Sequence, residues 1–143
     1  EDINTVPILR FVLDETAGIS IAATDLLRLA RSEQADAIDL VRAGVWDVGG
    51  ITPAMKTANM AECFHMATEM HGTGAGNLSV ALAIHNTSFY ERGLLHPFID
   101  YDKPKEYQNR IDDEMDADGY VHGRDDPGLG QDLNMDYILA NQT

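Results

Sequence analysis

Four polar positions in this 143-residue chain stand where apolar runs give way to turns: Glu1-Asp2, Thr24-Asp25, His71-Gly72 and Glu91-Arg92. Their types are those of acid–base chemistry. An imidazole exchanges protons near neutral pH, and carboxylates bind hard cations through oxygen. Such groups act together only if one surface collects them, which depends on the elements that carry them.

Those elements alternate. Val6, Leu9, Val12 and Leu13 have helical spacing, with Pro7 in the first turn, and Ala17-Gly18 ends that helix. Ile19 to Ala23 is an unbroken apolar run suited to a strand covered on both faces, and a second helix starts at Asp25. A strand near Ala37 to Val41, a Gly49-Gly50 turn, a helix over Pro53 to Phe64 and a strand at Met66 to Met70 follow. A glycine-rich turn from Gly72 to Gly76, a short helix over Asn77 to Ile84 and a last strand candidate at Ser88 to Glu91 complete the series. With Glu1-Asp2 ending a strand, the order is β-α-β-α-β-α-β-α-β, which demands parallel strands and right-handed crossovers. The fold class is α/β. A doubly wound sheet and consecutive units of a barrel share this pattern. Polar residues at the C-terminal ends of several strands are what a (β/α) barrel requires, because its catalytic groups gather there at one mouth.

From Leu94 the chain turns acidic and loop-rich, with Asp100, Asp102, Asp112, Asp113, Asp116 and Asp118 among prolines and glycines. Its aromatic residues, among them Tyr107, Tyr120 and Tyr137, argue against disorder, so an ordered return segment with hairpin character is expected. The domain reading is a partial barrel over residues 1–93 and a return segment over 94–143. The formal net charge of -14 disfavours nucleic acid and anionic membranes as partners and favours cations. A single cysteine, Cys63, in an Ala- and Met-rich helical stretch excludes an internal disulfide and reads as a buried, inert thiol. With no long apolar run and no basic leader, the expectation is a soluble, cytoplasmic protein with no membrane partner. The length falls well short of the roughly 250 residues of a whole barrel.

The stretch Val48-Gly49-Gly50-Ile51-Thr52, the helix after it, Thr68-Glu69-Met70-His71-Gly72, and Asn86 to Glu91 together resemble the last barrel units of the mandelate racemase/muconate lactonizing enzyme family of the enolase superfamily, sugar-acid dehydratases especially. The tail from Gly119-Tyr120-Val121 to Pro127-Gly128-Leu129-Gly130 resembles that family's closing segment, which returns towards an N-terminal capping domain. The resemblance covers most of Glu1 to Ile138, and its specificity lies in the order and spacing of motifs that are individually weak.

This resemblance implies the C-terminal βα units of a TIM-type barrel and a Mg2+-dependent hydro-lyase acting on an acid sugar or other small carboxylate, with a homo-oligomeric full-length parent. His71 would be the acid/base, and Glu91 would hydrogen-bond the substrate carboxylate or enediolate. Glu1 and Asp25 would be metal ligands. Asp14-Glu15 competes for the last assignment but ends a helix, whereas Asp25 directly follows a strand. Removing a proton beside a carboxylate creates an enediolate, whose charge a carboxylate-bound Mg2+ stabilises. A racemase or cycloisomerase of the same superfamily is the alternative. Two departures stand out. The aspartate that usually supports the histidine, five residues before the first glycine of the Gly-Gly turn, is Gly44 here, with Asp47 the nearest substitute. The first metal ligand and the opposite lysine or histidine base belong to earlier strands, so the site is expected to be incomplete and the isolated chain inactive.

Simpler readings exist for each residue. His71 could cap the following helix, Glu91 and Arg92 could form a surface ion pair, and Asp25 could be only a helix cap. Trp46 reads as packing beside the barrel mouth, and Met55, Met60, Met66 and Met70 read as core or near-core fillers. A different class arises from Glu114 to Asp125, whose oxygen ligands at positions one, three, five and twelve, with Gly119 at six, resemble an EF-hand calcium loop. A non-catalytic calcium-binding or assembly fragment is therefore the third reading; flanking helices would be its mark.

Overall fold

The computed structural model describes residues 40–92, 98, 100 and 102–142. The elements expected before residue 40, and with them Glu1 and Asp25, lie outside the described residues. Within them the order is β1 (Leu40–Ala43), α1 (Ile51–Cys63), β2 (Ala67–Met70), α2 (Ala75–Ala83) and α3 (Met135–Ala140). β1 and β2 pair in parallel, from Leu40 opposite Ala67 to Ala43 opposite Met70, and Tyr90 adds a parallel bridge to Met70. The last strand candidate is thus an extended segment with one bridge, lying beside β2. Its start is fastened by Asn86, whose carbonyl accepts from Thr68 N at 2.6 Å and whose amide donates to the Ala58 and Met66 carbonyls at 3.1 and 2.9 Å.

The alternation along each strand separates two faces. Val41, Ala43, Thr68 and Met70 are buried, while Arg42 is exposed and Glu69 half-buried. The buried face meets α1 through Ala54, Thr57, Ala58 and Ala61, a helical stripe of small residues that lets the helix approach closely. The Thr57 hydroxyl, with no access to water, donates to the Pro53 carbonyl one turn back at 3.0 Å. Val48, Val80 and Ile84 close the core, and Met55, Met60 and Met66 pack against it around the buried Met70, in keeping with their reading as fillers.

β1 runs two residues beyond Val41, where the apolar run stops, because the backbone continues to pair through Arg42 and Ala43. α1 begins two residues before Pro53. Its N-cap is Gly50, at φ 132, a conformation closed to residues with a Cβ, and Pro53 sits in the first turn where no amide is needed. At its C-terminus His65 takes the left-handed conformation (φ 60), with Met66 N donating to Ala61 O and His65 N to Glu62 O, a Schellman closure.

Two packing expectations are corrected. Cys63 is exposed, since it lies off the Ala54–Ala61 stripe, and Trp46 is 90% exposed on the turn after β1. The side-chain amides of Asn77 and Asn86 are both committed to backbone groups.

Residues 102–142 carry two antiparallel bridges, Gln108–Leu133 and Met115–Val121, and end in the short α3, capped by the Asn134 side chain on Tyr137 N. The EF-hand reading is corrected here. Asp116 accepts from its own loop, from Asp118 N at 3.0 Å and Tyr120 N at 2.8 Å, and its other oxygen lies 2.7 Å from His122 Nε2. With Gly119 at φ 86 this is the turn of a hairpin, and neither end runs into a helix. The hydrogen bond from His122, followed by the Tyr120 amide, holds the Asp116 carboxyl below its ordinary value.

Candidate active site

The parallel register places Arg42 beside Glu69, and two residues further it brings Gly44, His71 and Glu91 level at the C-terminal ends of three adjacent segments. All face away from α1. His71 and Glu91 therefore share the C-terminal end of one parallel sheet. Nδ1 of His71 lies 3.1 Å from Glu91 Oε2, and Gly72 N donates to the same oxygen at 3.3 Å. Arg42 reaches up from the layer below: its Nη2 is 2.8 Å from His71 Nδ1 and also donates to Glu91. His71 thus does not cap α2, whose N-cap is Gly74, and the ion-pair partner of Glu91 is Arg42, whereas Arg92 pairs with Asp102 at 3.0 Å.

The carboxylate that Gly44 cannot supply comes instead from Glu91, on the extended segment beside β2. A Cβ on Gly44 would lie 2.3 Å from Asp47 Oδ2 and 2.6 Å from the His71 carbonyl. The Asp47 carboxylate therefore occupies the space above Gly44, and no side chain fits at position 44 without moving it. The imidazole is oriented instead by Glu91 and Arg42. Its backbone is fixed by two further bonds: His71 N donates to Ala43 O at 2.8 Å, and the Asn77 amide donates to His71 O at 3.0 Å. Asn77, 2% exposed on the first turn of α2, also accepts from Val45 N at 2.8 Å and so ties both strand-end turns together.

Electrostatics separate the two glutamates on this face. Burial alone would raise Glu91, but the hydrogen bond from His71, the charge of Arg42 and the Gly72 amide outweigh it and hold the carboxyl below its ordinary value. Glu69 is raised, chiefly by burial, against hydrogen bonds from the Ser88 and Phe89 amides and the charge of Arg42. An ionised Glu91 only accepts hydrogen bonds. Arg42 is then the group of this cluster suited to an anionic substrate. Sequence reasoning passed over Arg42, and its signal was a cation inside an otherwise apolar strand, one residue before the strand end.

Arg42 and Glu91 make opposite demands on Nδ1. A guanidinium only donates, so its bond requires Nδ1 unprotonated, with the proton on Nε2; a bond to Glu91 requires the proton on Nδ1. Nε2 has no hydrogen-bond partner among the described residues. In the first state it carries a proton to give, and in the second it presents a lone pair to receive one.

The described residues do not by themselves fit a metal: no group of three or more His, Cys, Asp or Glu side chains among them could hold one. Nor is any described helix long and apolar enough to cross a membrane.

The profile of the enolase C-terminal domain-like family matches residues 17–137. A D-galactonate dehydratase family member of Pseudarthrobacter chlorophenolicus is 31% identical over 72% of this chain and 25% of its own length. A D-mannonate dehydratase of Caulobacter sp. is 34% identical over 73% of this chain and 26% of its own. The crystal structure of D-glucarate dehydratase from Agrobacterium tumefaciens complexed with magnesium is similar at TM-score 0.78 and 48% identity, over 83% of this chain and 31% of that one. A mandelate racemase/muconate lactonizing enzyme-type structure from Pseudovibrio sp. gives TM-score 0.65 at 27% identity, over 80% of this chain and 30% of that one. The chain spans about a quarter of the length of the curated relatives it matches. With its parallel βα units, its family profile and relatives that are sugar-acid dehydratases, the chain belongs to the enolase C-terminal domain-like family.

Proposed function

We propose that this chain supplies one half of the active site of an acid-sugar dehydratase, its residues 1–93 being the C-terminal units of a (β/α) barrel and 94–143 the return segment. The observation that carries this reading is the His71–Glu91–Arg42 cluster at the C-terminal ends of parallel strands, in a chain 48% identical to a glucarate dehydratase. Magnesium belongs to the reading through that relative, and Glu1 and Asp25 are its proposed ligands.

With Nδ1–H held by Glu91, Nε2 of His71 accepts the proton from the carbon beside the substrate carboxylate, and the C–H electrons pass into the enediolate. The resulting imidazolium keeps Nδ1–H on Glu91 and has Nε2–H to give. As the bond from the β-carbon to its hydroxyl breaks, that proton leaves with the hydroxyl as water, and an enol remains. Arg42, pinned by Glu91, offers its remaining donors to substrate oxygens. The Pseudovibrio likeness favours a racemase or cycloisomerase as the second reading. Either would share the first step and lose no hydroxyl, so product analysis separates them.

The deciding experiment joins the chain to the remaining strands of its barrel and assays acid-sugar dehydration with added Mg2+. His71→Asn should reduce kcat by about 100-fold or more, as expected for loss of a positioned proton carrier, and leave the fold intact. The isolated chain should show no turnover above background. Unchanged kcat in His71→Asn, or robust activity of the isolated chain, would refute the respective half of the proposal.

A further inference from the structure

We propose that Asp113 of the return segment is a positioning residue for the His71–Glu91 pair, tying the turn after one and the extended segment that carries the other to a single carboxylate oxygen. Asp113 lies more than twenty residues beyond Glu91 in sequence and is 7% exposed. Its Oδ2 accepts from Gly74 N at 3.0 Å and from the Tyr90 hydroxyl at 2.7 Å, and Gly74 N also donates to the Tyr90 oxygen at 2.8 Å. Tyr90 has one hydroxyl proton. The Gly74 carbonyl, 3.3 Å away, competes for it poorly against a closer and charged acceptor.

The placement of these partners gives the triangle its meaning. Gly74 is the N-cap of α2 and follows His71 by three residues; Tyr90 directly precedes Glu91 and bridges Met70, the residue before His71. The first turn of α2 also carries Asn77, which holds the His71 carbonyl. One oxygen therefore fixes the turn after His71 and the segment end before Glu91, and the 3.1 Å approach of Nδ1 to Oε2 depends on both. A carboxylate suits the place because it faces the positive end of a helix and two converging donors. Without it, a part-buried amide and a hydroxyl lose their acceptor and the two segments lose their common anchor. The return segment thereby becomes part of the site without touching substrate.

The geometric part stands alone, while its consequence for catalysis rests on the dehydratase reading, so the test reads the site directly. In the full 143-residue chain, labelled with 15N, the His71 ring nitrogens report the tautomer and the Gly74 amide reports local opening. Asp113→Ala should speed Gly74 exchange by about ten-fold or more and shift the His71 ring signals, consistent with loss of a charge-assisted bond. Because both bonds end on one oxygen, Asp113→Asn can present its carbonyl there and should restore the parent His71 signals. Tyr90→Phe, which removes only the hydroxyl, should move the same signals and decides the matter if the alanine variant does not fold. Parent-like His71 signals and Gly74 exchange in both Asp113→Ala and Tyr90→Phe, or equal disturbance by asparagine and alanine, overturn the proposal. If His71→Asn leaves turnover intact while these spectra respond as stated, the dehydratase reading falls and the positioning role stands.

Discussion

Between Leu40 and Ile84 the interior is apolar: Val41, Ala43, Met70, Val80 and the alanines of α1 close on one another, and the buried polar groups Thr57, Thr68 and Asn77 all have hydrogen-bond partners. From Asp102 to Gln142 the only buried side chain among the described residues that is not glycine is a carboxylate, Asp113, and order comes from ion pairs and side-chain-to-backbone bonds. The first region is held by burial, which is insensitive to pH and salt. The second is held by charge, which is not. The site lies where they meet: its strands belong to the apolar region, and its turns are fastened by the polar one.

The largest effect should follow from opening the apolar region. Met70 is 1% exposed, lies next to His71 in sequence, and pairs with both Ala43 and Tyr90. Met70→Ala should destabilise the chain by about 2–5 kcal/mol in urea unfolding, the range for a core methionine with a residual cavity. A loss below about 1 kcal/mol would show that burial does not dominate here and would break the contrast.

The two regions also differ in how much of them the sequence made legible. In the apolar region helical and strand periods are strong, so α1, β2 and α2 could be placed to within a few residues, and the register that levels His71 with Glu91 follows from the strand order. Arg42 was not legible, because a lone cation in an apolar strand gives no sign of which face it occupies until its neighbours are known. The partner of His71 was missed for a related reason. Reasoning looked along the strand to Gly44 and Asp47, whereas Glu91 reaches the imidazole across the sheet. Between Asp102 and Gln142, Asp116-Ala117-Asp118-Gly119 spells both a calcium loop and a hairpin turn, and the Met115–Val121 bridge, the local bonds of Asp116 and the lack of helices beside it separate them. Asp113 is one aspartate among many there, and nothing local distinguishes the buried one.

At the boundary, pH should act through Glu91. Its folded carboxyl is held below the ordinary value of 4.5, so its contribution to stability is complete above that value and is lost as pH falls through the lower, folded one. The direction is therefore loss of stability and of the Arg42–Glu91 pair on acidification below about 4.5. Urea midpoints measured from pH 6 down to pH 3, with the usual carboxylate range in mind, should fall less steeply in Glu91→Gln than in the parent chain. Equal slopes would mean that Glu91 is not the acceptor for His71 and Arg42, and the polar ties would then stop short of the site.

The smallest expected effect tests the polar region on its own terms. Arg110 pairs with Asp126 and lies 3.8 Å from Asp132, whose carbonyl accepts from Asn109 N at 2.9 Å. All three side chains are substantially exposed, so solvent screens them, and Arg110→Ala should change global stability by less than about 1 kcal/mol. The effect should be local and dependent on salt. In the parent chain, raising the salt from about 0.1 M to about 1 M shortens the screening length from roughly 10 to 3 Å, and the Asn109 amide should exchange faster. The Val41 and Thr68 amides of the paired strands should not. In Arg110→Ala the Asn109 amide should already be fast at low salt and respond little to more. If Val41 and Asn109 respond equally to salt, the two regions open as one unit and charge is not what orders residues 102–142. If only Asn109 responds, the polar region loosens independently of the strands, and Asp113 is the point at which that loosening would reach the segments that carry His71 and Glu91.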